Sequence, residues 1–471
     1  MNTECTAQQM EFQPLGNRKV VASFTGGQLV SGGGLLLLRE AEHQHRIIKR
    51  LAGCFIDKRN PDAIEHTVEE LLLQRIMAMA LGYEDLNDHD DLRRDLLLAV
   101  AVGKEDIEGK ERRRASDRGI PLASRNTLNR MELSAQACRS GNRYKKISCD
   151  AHKVQALLIE LFLESFTEPP KEIILDFDAT DIPLHGEQEE RFFHGYYGNY
   201  CYLPLYVTCG QFVLAAMLRP ANIDASKGTI PVLNLIVRAI RERYPDTHIV
   251  LRADSGFARE RIMHWCEKHS VSYVLGLAKN SRLNQRIVHA MDAAKIRMIQ
   301  TGLKAQRQFT SFYYRTRNSW SRERRVIAKA EVLAKGENPR YVVTNLDEDY
   351  CTDKALYEDI YCARGDMENR IKEQQLELFA DRTSSHQMQA NQLRLWISLF
   401  AYILIGKIRV GLKKTRLKKA TSGTLRNKLL NVAARITISK RRIVLHLSST
   451  CPYKDIYINT WYALNIQSHP T

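Results

Sequence analysis

The chain has 471 residues, 44% of them apolar and 26% charged, enough for two or three domains around a sizeable core, which excludes disorder throughout. Seventy Lys and Arg against 54 Asp and Glu leave a net charge of +16, a balance that favours a polyanionic partner such as nucleic acid. The excess is localised. The 73 residues from Arg382 to Lys454 hold 16 Lys or Arg and no Asp or Glu, and the remainder is balanced. Ten cysteines without a CxxC pair argue against a zinc cluster or a disulfide framework and for a reducing compartment. The most apolar run, Leu393 to Gly406, has 14 residues including Arg394, short of the ~20 that span a bilayer. A cytoplasmic protein with a buried helix at that place, and no membrane partner, is expected.

In chain order, the first 165 residues read as mainly helical. Apolar residues recur at steps of three and four in Ala63 to Leu81 and again in Val154 to Phe166. The Gly-rich stretch Gly26 to Gly34 lacks the Lys-Ser or Lys-Thr of a P-loop and reads as a flexible turn. Gly82 to Asp95 crowds six carboxylates around His89. No calcium-loop spacing fits it, so capping Asp residues in a loop are expected. Ser124 to Glu132 reads as a short capped helix carrying Arg125, Asn126, Asn129 and Arg130, either a DNA-reading helix or a solvated face.

After Pro169 and Pro170 the texture changes to β-rich runs at Ile173 to Thr180, Tyr202 to Cys209 and Phe212 to Arg219. A helix from Ile230 to Arg243, a strand His248 to Asp254, a helix Arg259 to Lys268 and a strand Val271 to Ala278 follow. Three strands, a helix, a strand, a helix and a strand is the order of the RNase H-like α/β fold. Gln308 to Leu346 reads as further strands that interrupt this pattern, an insertion. Helical periodicity resumes from Lys354 to about Lys407, and the basic region follows with a strand at Arg442 to Leu447.

Three segments place a carboxylate where packing alone does not explain it. In IILDFDATD, Ile173 to Asp181, strand alternation puts Asp176 and Asp178 on one face and Ile173, Leu175 and Phe177 on the other. Two acids that close on a central strand repel unless a cation sits among them. In IVLRADSG, Asp254 ends an apolar strand, where ligands bind in α/β sheets. On the later helix Tyr361, Arg364, Glu368 and Lys372 stand at steps of three, four and four, one stripe along one face. Such a stripe alone is an ordinary ladder of ion pairs. With the strand acids it predicts an all-oxygen site, Asp178, Asp254 and Glu368, for Mg²⁺ and phosphodiester chemistry on DNA. HGYYGNYCYLPLY, His194 to Tyr206, offers its Tyr residues either to unpaired bases or to the packing of a strand pair around a Gly turn.

On these residues the chain resembles a DDE transposase of a bacterial insertion sequence, in the branch with a β-strand domain between the second Asp and the Glu. That branch carries Tyr, two residues, Arg, three residues, Glu, six residues, Lys on the Glu helix. Tyr361, Arg364 and Glu368 match; Gln375 stands at the Lys place, with Lys372 one turn earlier as the candidate substitute, and Gly365 follows the Arg where relatives often have Trp. The Asp-Ala-Thr match to the family's Asp-x-Thr strand selects Asp178 over Asp176. The gaps are 76 residues from Asp178 to Asp254 and 114 from Asp254 to Glu368, the longer one holding the insertion.

The resemblance implies a helical N-terminal DNA-binding domain at 1–165 and an RNase H-like core at 170–285 and 353–410. It further implies a β-rich insertion at 286–352 and a basic C-terminal region at 411–471. By the same resemblance Asp178, Asp254 and Glu368 hold two Mg²⁺ ions, which Mn²⁺ can replace, and Tyr361 and Arg364 hold a DNA phosphate. Arg125, Arg130, Lys372, Lys413, Lys414, Arg416, Lys418 and Lys419 are the expected further DNA contacts. The implied partners are the element's terminal inverted repeats and target DNA, with a homodimer at synapsis. A nuclease or resolvase of the same fold without strand transfer is the alternative.

Overall fold

The computed structural model describes residues 9–133 and 145–466. The chain divides into two compact units. One is built from the chain up to Glu132 together with the chain from Phe400 onward, the other mainly from Ser148–Leu399.

The second unit is organised by one nine-stranded sheet. Its main strands are β1 (Glu172–Ala179), β2 (Leu205–Cys209), β3 (Phe212–Met217), β4 (His248–Ala253), β5 (Ser272–Leu277), β6 (Ala305–Tyr314), β7 (Arg324–Leu333) and β8 (Arg340–Thr344). They lie side by side in the order β3-β2-β1-β4-β5-β8-β7-β6, and Gly336–Glu337 adds a two-residue edge to β7. β1, β2 and β3 pair antiparallel, whereas β1–β4 and β4–β5 are parallel. Parallel neighbours need crossovers, which α2 (Thr229–Arg243) before β4 and α3 (Glu260–Lys268) before β5 supply. The strands of the expected insertion hydrogen-bond onto the free side of β5 through β8 and continue the same sheet antiparallel.

β1 is central and both of its faces are covered. Ile173, Leu175 and Phe177 enter a core with Val232, Leu233, Ile236 and Ile240 of α2 and with Ile159 and Phe162 of α1 (Ala151–Leu163). Helix α1 lies in this unit because that apolar face has its partners here. On the opposite face Ile174 packs against Val250, Val274, Ile327, Val342, Leu356 and Tyr357. Leu356 and Tyr357 therefore anchor the helical segment that carries Glu368 against the acid-bearing side of the sheet.

The first unit gathers helices Leu35–His45, Ile47–Ala52, Val68–Leu81, Leu96–Val102 and Arg125–Glu132. The helix expected from Ala63 begins at Val68 because Thr67 and Glu70 form a capping box, which places the start there. The Gly-rich stretch is not a free turn. The Gly33 and Gly34 amides donate to the carbonyls of Val432 and Leu430 at 2.8 and 2.9 Å. A Cβ on Gly34 would stand 2.0 Å from the Leu429 carbonyl oxygen, so only glycine lets the two backbones meet. Leu29–Val30 pairs with Ala434–Ile438, which pairs with Ile443–Leu447 in a three-stranded sheet. In the Gly82 to Asp95 loop the Asp95 carboxylate caps the next helix through the Leu97 and Leu98 amides, and His89 is fully buried against Gln74. Helix Met388–Ile408 is long and apolar enough to cross a membrane and is mostly buried inside the protein, as a core helix is. Cys201, Cys209, Cys266, Cys351, Cys362 and Cys451 are free thiols.

Candidate active site

The acids assemble through strand register. Ala253 of β4 pairs with Phe177 of β1, so Asp254, one residue on, leaves β4 alongside Asp178. Asp254 Oδ1 accepts the Gly256 amide at 2.8 Å, turning the chain away from the strand end. Glu368 comes from helix Gly365–Lys372 on the covered face. The ribbon leading to it is helical throughout but not regular: a wide-turned segment, Leu356–Tyr361, passes into a tight turn, Cys362–Arg364. Such irregularities re-aim side chains, and they recur at functional sites.

Arg364 sits among the acids, 2.8 Å from Glu368 Oε1 and 3.5 Å from Asp178 Oδ1. Burial pushes the Asp178 carboxyl up to about 6; the Arg364 guanidinium opposes this, and the carboxylates of Asp254 and Glu368 add to it. Burial works against the charged Arg364, yet Asp178 and Glu368 hold its guanidinium above the ordinary value. The Tyr361 phenol rests over the backbone of β5: a Cβ on Gly276 would lie 2.5 Å from its oxygen. Burial raises that phenol, Arg364 lowers it, and Asp254 raises it further.

Asp176, on the same face of β1 as Asp178, has a different environment. Both oxygens are gripped by Arg252, at 2.5 Å from Nε and 2.7 Å from Nη2. Arg252 also donates to the Ile360 carbonyl at 2.5 Å, tying β4 to the residue before Tyr361. The sequence reading missed Arg252; its signal was a lone guanidinium in an otherwise apolar strand, in register with Asp176. Gln375, at the place of the family's Lys, donates to the Asp181 carbonyl at 3.3 Å, while Lys372 is exposed.

The donor set suits a hard divalent cation, being three carboxylates, two of which raise the cost of ionising Asp178. Among the described residues no three His, Cys, Asp or Glu stand in ligating geometry, and Arg364 is paired with two of the three carboxylates.

Of the further expected DNA contacts, all but Lys372 lie in the other unit. Arg125 and Arg130 are exposed on helix Arg125–Glu132, with Arg125 paired to Asp90 at 3.2 Å and donating to Asn87 at 2.7 Å. Lys413, Lys414, Arg416, Lys418 and Lys419 are all exposed, and Arg416 lies over the Tyr453 ring at 4.6 Å.

A mixed sheet with acids at adjacent strand ends, a third acid on the covering helix and a basic region elsewhere in the chain suit an enzyme that acts on nucleic acid. The family model of the transposase DDE domain, group 1, matches residues 12–469, and the chain belongs to that family. The family acts on DNA and in general uses divalent metal ions. No curated protein matches the sequence.

Proposed function

We propose that the protein binds the terminal inverted repeats of an insertion sequence, cuts at its ends by metal-dependent phosphodiester hydrolysis, and joins the 3′-hydroxyl ends to target DNA. One observation carries this reading: Asp254 and Glu368, far from Asp178 in sequence, come within electrostatic reach of it, and Arg364 bridges Asp178 and Glu368. The order β3-β2-β1-β4-β5, antiparallel then parallel, supports an RNase H-like core around them.

Asp178, Asp254 and Glu368 would hold the cations, Mg²⁺ being the expected one. When bound, divalent ions supply activation of a water or 3′-hydroxyl and neutralisation of the scissile phosphate. For the carboxylates to serve as ligands, Arg364 has to leave Glu368, and its guanidinium then meets an incoming phosphate oxygen. Tyr361, held over Gly276, donates its hydroxyl to the same phosphodiester. Asp176 stays with Arg252 and fixes the strand and helix that present these groups. The exposed basic residues Lys413 to Lys419 contact backbone phosphates without reading sequence. Two element ends call for two protomers, so the working form on DNA is a homodimer in the cytoplasm.

The test is cleavage of a duplex carrying a border of the DNA segment that encodes the chain. The full-length protein with Mg²⁺ is expected to cut it, EDTA to stop it, and Asp178→Ala, Asp254→Ala and Glu368→Ala to abolish it. Pre-cut ends that are never joined to target DNA would leave a nuclease without strand transfer.

A further inference from the structure

The three-stranded sheet of the first unit has one covered face and one bare face. Ala434 and Ile436 are buried, and Leu447 on the neighbouring strand lies against Gly33, where a Cβ would meet its Cδ2 at 2.6 Å. The alternate residues point the other way. Arg435 pairs across the strands with His446 and with Leu29, and Thr437 pairs with Val444, so these five share one face. All of them are exposed, Leu29 at 68%.

Past Arg435 the sheet narrows to a ribbon of two strands, because Leu29–Val30 pairs only with Ala434 and Arg435. At its base the ribbon is fixed by the Ile436 amide, which donates to the Gln28 carbonyl at 3.0 Å. It ends in a tight turn. The Ser439 amide donates to the Arg442 carbonyl at 2.9 Å, and the Arg442 amide donates to Ser439 Oγ at 3.1 Å. Lys440, Arg441 and Arg442 stand exposed on this turn, and the sequence from Arg382 to Lys454 has no Asp or Glu to neutralise them.

We propose that this ribbon lies in the major groove of the element end, with Arg435, Thr437, Val444 and His446 against the base edges and the turn cations on the flanking phosphates. This rests on the end-binding reading above and adds to it the surface that recognises sequence. Two strands about 4.8 Å apart fit the major groove, about 12 Å wide, and not the minor groove, about 6 Å wide. The side chains match what the floor of the major groove displays. Arg435 carries the planar fork that meets O6 and N7 of guanine, and His446 offers a ring N–H to a purine N7. The methyl groups of Thr437 and Val444 suit the thymine methyl. The cations on the turn hold the ribbon in register without reading sequence.

The test is binding of the full-length protein in EDTA, by fluorescence anisotropy, to the border duplex and to a scrambled duplex of the same composition. The parent should prefer the border. Arg435→Ala should reduce that preference about ten- to a hundred-fold while binding the scrambled duplex as the parent does. Border guanines replaced one at a time by 7-deazaguanine, which lacks the major-groove N7, should reveal one position whose cost to the parent vanishes in Arg435→Ala. Lys440→Gln, Arg441→Gln and Arg442→Gln together should weaken both duplexes alike and lower the slope of log affinity against log salt by up to about 2.7. Three results would each overturn the ribbon's assignment and leave end binding standing: a border preference kept by Arg435→Ala, 7-deazaguanine costs equal in parent and Arg435→Ala at every guanine, or an unchanged salt slope in the turn variant. A parent that does not distinguish the two duplexes would sink both readings. These measurements need no cleavage, so their outcome is separate from the chemistry of the acid site.

Discussion

Arg252 and Asp176 face each other as register partners on adjacent parallel strands and close a two-point ion pair inside the sheet. Removing one member of a buried pair leaves the other charge without compensation. Arg252→Ala is expected to destabilise the protein by about 3–5 kcal/mol, read as a shift in the urea midpoint. Because Arg252 also holds the Ile360 carbonyl, cleavage should fall with it even at temperatures where the variant stays folded.

Asp178 predicts the opposite stability sign. Its folded carboxyl titrates near 6 against 3.8 unfolded, so between these values the folded state binds more protons and stability falls as pH rises. Asp178→Asn should therefore gain stability in EDTA, by up to about 3 kcal/mol above pH 6. The gain should vanish below about pH 4. Cleavage by the same variant should drop at least about a thousand-fold. A loss of stability at pH 8 would contradict the environment described for Asp178.

Gly276 is predicted to tolerate no side chain. Its Cβ would meet the Tyr361 hydroxyl at 2.5 Å and the Ser255 amide nitrogen at 2.9 Å. Gly276→Ala should cost about 1–3 kcal/mol and displace the phenol from the site. Adding Tyr361→Phe relieves the first contact and leaves the second, so the double variant should recover part of the stability and none of the cleavage. Thermal melts of the four proteins of this cycle check it.

Two buried histidines set the acid limit of the first unit. Burial, mainly, lowers His66 and His89 from 6.5 to about 3. As pH falls below 6.5 the unfolded chain takes up protons that the folded one refuses, so stability falls with it. The expected slope is about 1.4 kcal/mol per pH unit for each. His89→Gln should remove one such contribution in a denaturation series from pH 7 to pH 4.

The exposed basic run makes a salt prediction. Replacing Lys413, Lys414, Lys418 and Lys419 by Gln should reduce the slope of log affinity against log salt on duplex DNA by up to about 3.6. An unchanged slope would remove these residues from the DNA interface.

The sheet was readable because its strands are short, bounded by turns and patterned by burial. Ile173, Leu175 and Phe177 announce one covered face, and Asp176 and Asp178 mark the other as special. What separates the two acids was not readable, since it depends on a guanidinium 76 residues away falling into register. The irregular turns between Leu356 and Arg364 leave no mark on an amphipathic pattern, so a straight stripe from Tyr361 to Lys372 was the natural expectation. The continuation of the sheet by β6 to β8 was hidden too, because strands look alike whether they start a new sheet or extend an old one. Gly33 and Gly34 looked like a turn because the backbone they press against lies almost four hundred residues further on.

That last contact sets a timetable for synthesis. At elongation speeds of about 5–20 residues per second, on the order of 20–80 s pass between translation of Gly34 and of Leu430. During that interval the early helices wait without the partner backbone that closes their unit, while Ser148–Leu399 emerges as an uninterrupted stretch and can fold first. A nascent chain would thus acquire its large sheet before its paired ends, and ribosome stalling near Leu430 would be expected to yield molecules with only the Ser148–Leu399 unit in place.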